Sequence, residues 1–124
     1  MKIQKVDSTQ LLRLFTDHWA PKIIAELNDY QIKLVKIQGD FVWHAHEDTD
    51  ELFFVLEGEM GIELKEKTLF LSKGEMVVVP KGVLHKPFAR EECHVMLIEP
   101  RGVVNTGKAG GDKTAAQDVW ITPP

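Results

Sequence analysis

Gly39-Asp40-Phe41-Val42-Trp43-His44-Ala45-His46-Glu47-Asp48-Thr49-Asp50-Glu51-Leu52-Phe53-Phe54-Val55-Leu56-Glu57-Gly58 is the stretch on which the reading of this chain turns. His44 and His46 stand one residue apart. In extended backbone residues i and i+2 point to the same face, so the two imidazoles can lie side by side. Glu51 follows a short acidic loop and heads Leu52 to Leu56, a run aromatic and β-branched enough to read as a strand. On it Glu51, Phe53 and Val55 share one face, and Leu52, Phe54 and Leu56 the other. A carboxylate beside two paired imidazoles supplies three of the donors that a first-row metal ion takes. Downstream, Pro80-Lys81-Gly82-Val83-Leu84-His85 offers a fourth, provided the chain folds back to bring His85 to the other three.

Outward from that stretch the pattern is one of short strands. Asp7-Ser8-Thr9-Gln10 reads as a helix start, with Asp7 as cap and Gln10 in the capping-box position. Leu11, Leu12, Leu14 and Phe15 then give a one-sided apolar face, and Pro21 prevents continuation. Strands are expected over 22–27 and 30–37, joined by an Asn28-Asp29 hairpin turn. Gly39-Asp40 should break the second of these before a strand over 41–46. Further strands are expected over 51–56, 61–64, 68–71, 76–79, 84–89 and 93–99, with turn residues between them. Many short strands of this spacing point to an all-β sandwich or barrel. Beyond Pro100, Gly102, Gly107, Gly110 and Gly111 describe a loop-rich tail ending in the apolar Val119-Trp120-Ile121. That tail is expected to pack on its own barrel or on a neighbouring subunit, with a lid over the pocket as the sharper alternative. The organisation read from the chain is one domain over 1–124: a helical segment 1–20, a β-barrel core 21–100 and an extended tail 101–124.

Composition excludes several classes of function. At 124 residues, with 44% hydrophobic and 27% charged residues, the chain suits one globular domain. A formal net charge of -4 argues against a nucleic-acid partner, which calls for a basic patch. Cys93 is the only cysteine, so no internal disulfide forms and a reducing cytoplasm is the expected setting. No run is apolar and long enough for a signal peptide or a membrane span, and no membrane partner is expected.

The residues also fit a known pattern. Gly39-x4-His44-x-His46-x4-Glu51-x6-Gly58 resembles the first motif of the cupin superfamily, and Gly74-x5-Pro80-x-Gly82-x2-His85 resembles the second. The first glycine stands one residue closer to the histidines than in the family pattern, and Ala89 replaces the asparagine that ends the second motif. The resemblance covers residues 39 to 89. It implies a jelly-roll barrel holding one divalent metal on His44, His46, Glu51 and His85. Within the superfamily the chain is similar to small single-domain proteins labelled mannose-6-phosphate isomerase-like, a label that describes the barrel more than a substrate.

Three neutral imidazoles and a carboxylate suit iron, manganese, nickel, copper or zinc, and on an octahedral ion they leave two positions for water, substrate or dioxygen. The site would carry a net positive charge, so an anionic or chelating small molecule is the natural visitor. Glu47 or Asp50 could replace Glu51 if the strand register slips. A lone histidine on a strand is more often hydrogen-bonded than ligating, which applies to His18 and His94. The expected activity is that of a metalloenzyme acting on a small organic acid or sugar-like molecule, by oxygenation or isomerisation. The alternative is a non-catalytic cupin that binds or senses a small ligand. An isomerase needs a base, for which Tyr30, His94 and Glu99 are candidates. On a phosphosugar it also needs a cationic clamp, and only Arg13, Arg90 and Arg101 are available as arginines. Because Leu52, Phe54 and Leu56 make the second face apolar too, that face must be covered by helix, tail or another subunit, and a homodimer is expected.

Overall fold

A computed structural model describes residues 3–122. The outermost residues of the two expected terminal segments, 1–2 and 123–124, lie outside the described residues. Among the described residues one short helix, α1 (Ser8–Leu12), precedes seven strands: β1 (Lys22–Leu27), β2 (Tyr30–Asp40), β3 (Glu51–Glu57), β4 (Glu59–Glu63), β5 (Thr68–Ser72), β6 (Met76–Val79) and β7 (Lys86–Pro100). The Asp7 carboxylate accepts from Gln10 N–H at 3.2 Å, the cap that the sequence places there.

All the strand pairs are antiparallel. Their order is β1-β2-β7-β3-β6, with β4 joined to β5 on one side and to β7 on the other. The long β7 holds the sheet together. Residues 93–100 run along β2, residues 94–98 also pair with β3, and residues 86–88 pair with β4. Odd-numbered side chains of β2, β3 and β7 turn inward, and Val35, Ile37, Phe53, Val55, Cys93, Val95 and Leu97 form the core with Met60 and Ile62 of β4. At Gly58, with φ +89°, a Cβ would crowd Glu92 O and Cys93 Cα, so the tight passage from β3 to β4 beside β7 requires glycine.

On the outside of the sheet, Leu11, Leu12 and Phe15 pack over Leu34, with Ile24, Leu56 and Ile121 at the margin. The tail therefore returns to its own barrel: Ile23 N–H donates to Val119 O, and Ile121 N–H donates to Ile23 O.

Two strand expectations are corrected. Residues 84–89 and 93–99 are not separate strands; β7 continues through the exposed Arg90-Glu91-Glu92. Solvated polar residues read as a turn in sequence, but they are equally at home on strand backbone whose side chains face water. Residues 41–46 form no strand. β2 instead runs to Asp40 with a register shift between Ile37 and Gly39, and the following segment forms an isolated bridge, His44 to His85, instead of a ladder.

Candidate metal centre

The site is assembled from two chain segments that backbone bonds hold together. His44 N–H donates to His85 O at 3.0 Å, His85 N–H donates to His44 O at 2.9 Å, and Gly82 N–H donates to His46 O at 2.9 Å. Glu51 opens β3 opposite Val79, one residue before the Pro80–Gly82 turn that leads to His85. Asp50 turns outward and accepts from Lys81 N–H at 2.9 Å, which pins the loop and fixes the register that puts Glu51 inside. Glu47 is exposed and paired with Lys108. Neither replaces Glu51.

His44, His46, Glu51 and His85 are all buried, and one donor atom from each lies within 4.8 Å of the others. The rings of His44 and His85 are 4.2 Å apart between centroids, and those of His44 and His46 5.0 Å. His44 Nδ1 stands 2.9 Å from Val42 O and His85 Nδ1 2.8 Å from Val83 O. A proton on Nδ1 satisfies those carbonyls and leaves Nε2 with a free lone pair, the arrangement that orients histidine ligands. His46 Nε2 and His85 Nε2 approach Glu51 Oε1 at 3.2 and 3.5 Å. Yet among the described residues all three atoms lack a hydrogen-bond partner. Buried polar atoms are almost always satisfied, so converging orphans of this kind fit a cation between them.

Electrostatics agree. Burial and the neighbouring His85 push His44 down to about 4, so its imidazole is neutral, as a ligand must be. Burial works to raise Glu51, but the facing imidazoles of His46 and His85 outweigh it and hold the carboxyl below the usual range. Behind Glu51 stands a pair that the strand patterns hide. Lys33 Nζ lies 2.7 Å from Glu99 Oε2, both side chains buried. Burial and the charge of Glu51 push Glu99 well above the ordinary carboxylate range, against the pull of Lys33.

The three candidate bases separate. Tyr30 is exposed at the start of β2, and His94 faces outward, 2.8 Å from Glu92. Glu99 alone lies inside, beside the cluster. His18 is likewise at the surface, on the other oxygen of Glu92 at 3.1 Å. Three residues bordering the site were not singled out from sequence: Trp19, Phe41 and Asn105. Trp19 stacks on Phe41 at 4.6 Å, and Phe41 meets His44 edge-on at 5.1 Å. The one available signal was Trp19 itself, a large aromatic two residues before Pro21 and outside any regular element. Gly107 lies against the carbonyl of Ala45 so closely that no Cβ could fit, which lays the tail directly across the His44–His46 segment.

Comparison with known proteins places this architecture. A family model described as a cupin domain matches residues 33–108, which includes all four clustered residues. The uncharacterized protein YdbB of Bacillus subtilis (strain 168) is 44% identical over 64 residues, 51% of this chain and 57% of that protein. The match thus spans little more than half of that curated relative's length. Among solved structures, a cupin-2 domain containing protein from Shewanella frigidimarina NCIMB 400 shares 54% identity over 77% of this chain and 94% of its own, with a TM-score of 0.77. Protein NMB1881 from Neisseria meningitidis shares 34% identity over 78% of this chain and 99% of its own, with a TM-score of 0.72. With two histidine motifs brought to one point inside an antiparallel β-shell, and with relatives this similar across most of its length, the chain belongs to the cupin superfamily.

Proposed function

We propose that this cupin is a mononuclear metalloenzyme acting on a small organic acid, of the oxygenase type rather than a sugar isomerase. His44, His46, Glu51 and His85 would hold one divalent transition-metal ion. Bound there, such an ion supplies Lewis acidity and, if redox-active, the electrons for dioxygen chemistry. The protein's own share is to orient the His44 and His85 rings through the Val42 and Val83 carbonyls, to hold Glu51 ionised, and to exclude water with the apolar core. The observation that carries the reading is the trio of buried, partnerless atoms His46 Nε2, Glu51 Oε1 and His85 Nε2.

Against a phosphosugar isomerase stands the position of the arginines. Arg101 is bound to Glu26 at the surface, and Arg13 and Arg90 are exposed, so none reaches the cluster as a phosphate clamp. A homodimer remains part of the proposal. Outside β3 and β6, Met76 is 51% and Val78 47% exposed beside Phe54 and Leu52, an apolar strip that α1 leaves open. Sedimentation at micromolar concentration checks it, and a monomeric mass would remove it.

The metal reading is tested on protein purified without a histidine tag. Elemental analysis should find about one transition-metal ion per chain, lost in the His44→Ala/His85→Ala double variant. Stoichiometric metal in that variant would end the assignment. Oxygen uptake by the iron-loaded protein over a panel of small acids then separates an oxygenase from a cupin that only binds its ligand.

A further inference from the structure

The cavity that His44 and Glu51 border has a one-sided chemistry. Its strand wall is Val35, Ile37, Phe53, Val95 and Leu97, and its remaining border includes Trp19 and Asn105. Among the described residues, no lysine, arginine or hydroxyl side chain lines it. The two polar groups on the Trp19 side are already spent. Trp19 Nε1–H donates to Gln38 O at 3.0 Å. The Asn105 amide donates to Trp19 O at 3.0 Å and to Lys113 O at 2.9 Å, while its oxygen accepts from Ala115 N–H at 2.9 Å. Every polar contact that the cavity can offer a ligand therefore lies at the His44–Glu51 end. A second charged group, or a ring of hydroxyls, would be stripped of water with nothing to receive it.

Trp19 also limits the space. Its φ of +60° is in the left-handed region, an outlier for a bulky residue. Several contacts hold it there: Trp19 N–H to Lys36 O at 2.9 Å, the Asn105 amide on its carbonyl, and the stack on Phe41. Strained backbone that is over-determined in this way clusters at ligand sites. With the indole in place the cavity is about 30 Å³, enough for one or two water-sized groups.

We propose that this pocket takes a small ligand with one oxygen head at the metal end and an apolar body, and that Trp19 sets the size of that body. The proposal rests on the metal reading above and narrows its substrate to acids or enols without a second polar group.

Two measurements test it separately from that reading. The first uses cobalt(II)-loaded protein, whose visible spectrum reports ligand entry, with acetate, butyrate and succinate as probes. Wild type should prefer acetate. Trp19→Ala should raise the affinity for butyrate relative to acetate by about tenfold or more, with Trp19→Phe between the two. Succinate, which replaces the apolar end of butyrate by a carboxylate, should bind worse than butyrate in all three proteins. Equal binding of succinate and butyrate, or an unchanged butyrate-to-acetate ratio in both variants, overturns the proposal.

The second measurement needs no metal. In the apoprotein, saturation-transfer NMR should detect benzene in Trp19→Ala and not in wild type; benzene absent from a folded Trp19→Ala, or equally bound by wild type, counts against the proposed wall. Failure of wild type to take up cobalt would instead strike the metal reading, and the benzene result would still decide on the wall.

Discussion

His44 and His85, from opposite ends of the site's sequence, exchange both of their backbone hydrogen bonds, at 3.0 and 2.9 Å. Their register is set by main chain, not by the imidazoles. Loss of one ring should therefore leave its partner in place. His85→Ala is expected to keep the far-UV circular dichroism of the wild type. Its metal affinity, measured by chelator competition, should fall by at least the ~100-fold that marks the upper range for loss of an outer-shell partner.

Acid should weaken the metal-free protein. His44 is held at about 4 in the fold, by burial and by His85, whereas an unfolded histidine titrates near 6.5. Between those values the unfolded chain binds the additional proton, so stability falls as pH falls. The contribution is intact above about 6.5, lost progressively down to about 4, and is on the order of 3 kcal/mol. Glu99, raised by burial and by Glu51, pulls the other way above the normal carboxylate range. The share of His44 is thus the difference between wild type and His44→Asn in urea unfolding from pH 4 to 7, in chelator. Parallel curves would refute it.

The Lys33–Glu99 pair should behave as a unit. Lys33→Met strands a buried acid and should cost about 3 kcal/mol, whereas Lys33→Met with Glu99→Leu should recover most of it, because the desolvation of both groups disappears together. Denaturant midpoints of the two single variants and the double variant give the coupling directly. Additive losses would mean that the two groups do not interact.

Gly107→Ala should be costly for its size. The new methyl would collide with the Ala45 carbonyl, and the glycine is at φ +59°. A loss of about 1–3 kcal/mol is expected. Metal affinity should weaken with it, since Ala45 sits between two of the clustered histidines. Gly110→Ala also meets positive φ, but open space, and is the control: unchanged metal affinity there, with a loss at Gly107, identifies contact with the site.

The centre of this molecule was legible because period-two alternation and fixed spacings carry their own geometry. Glu51 could be placed on an inward position from the strand pattern, the His44-x-His46 spacing paired two imidazoles although their segment forms no strand, and the second motif named His85. What was hidden depends on register between distant strands. Lys33 reads as a polar interruption in an apolar run, and its need for an acid becomes visible only when β2 lies beside β7 with Glu99 diagonal to it. The continuity of β7 through Arg90-Glu91-Glu92 was hidden for another reason, since exposed strand and turn share a composition. Trp19 was hidden because its role comes from Phe41 and Asn105, neither of them its neighbour in sequence.

The bridge between Ile23 and Trp120 has a consequence for handling the protein. β1 is an outermost strand, whose free amides and carbonyls invite pairing with any extended chain. Residues 119–121 occupy that rim in parallel fashion and shield it. A version trimmed after residue 115 should leave the rim bare, and light scattering should then show concentration-dependent oligomers growing from strand-to-strand addition.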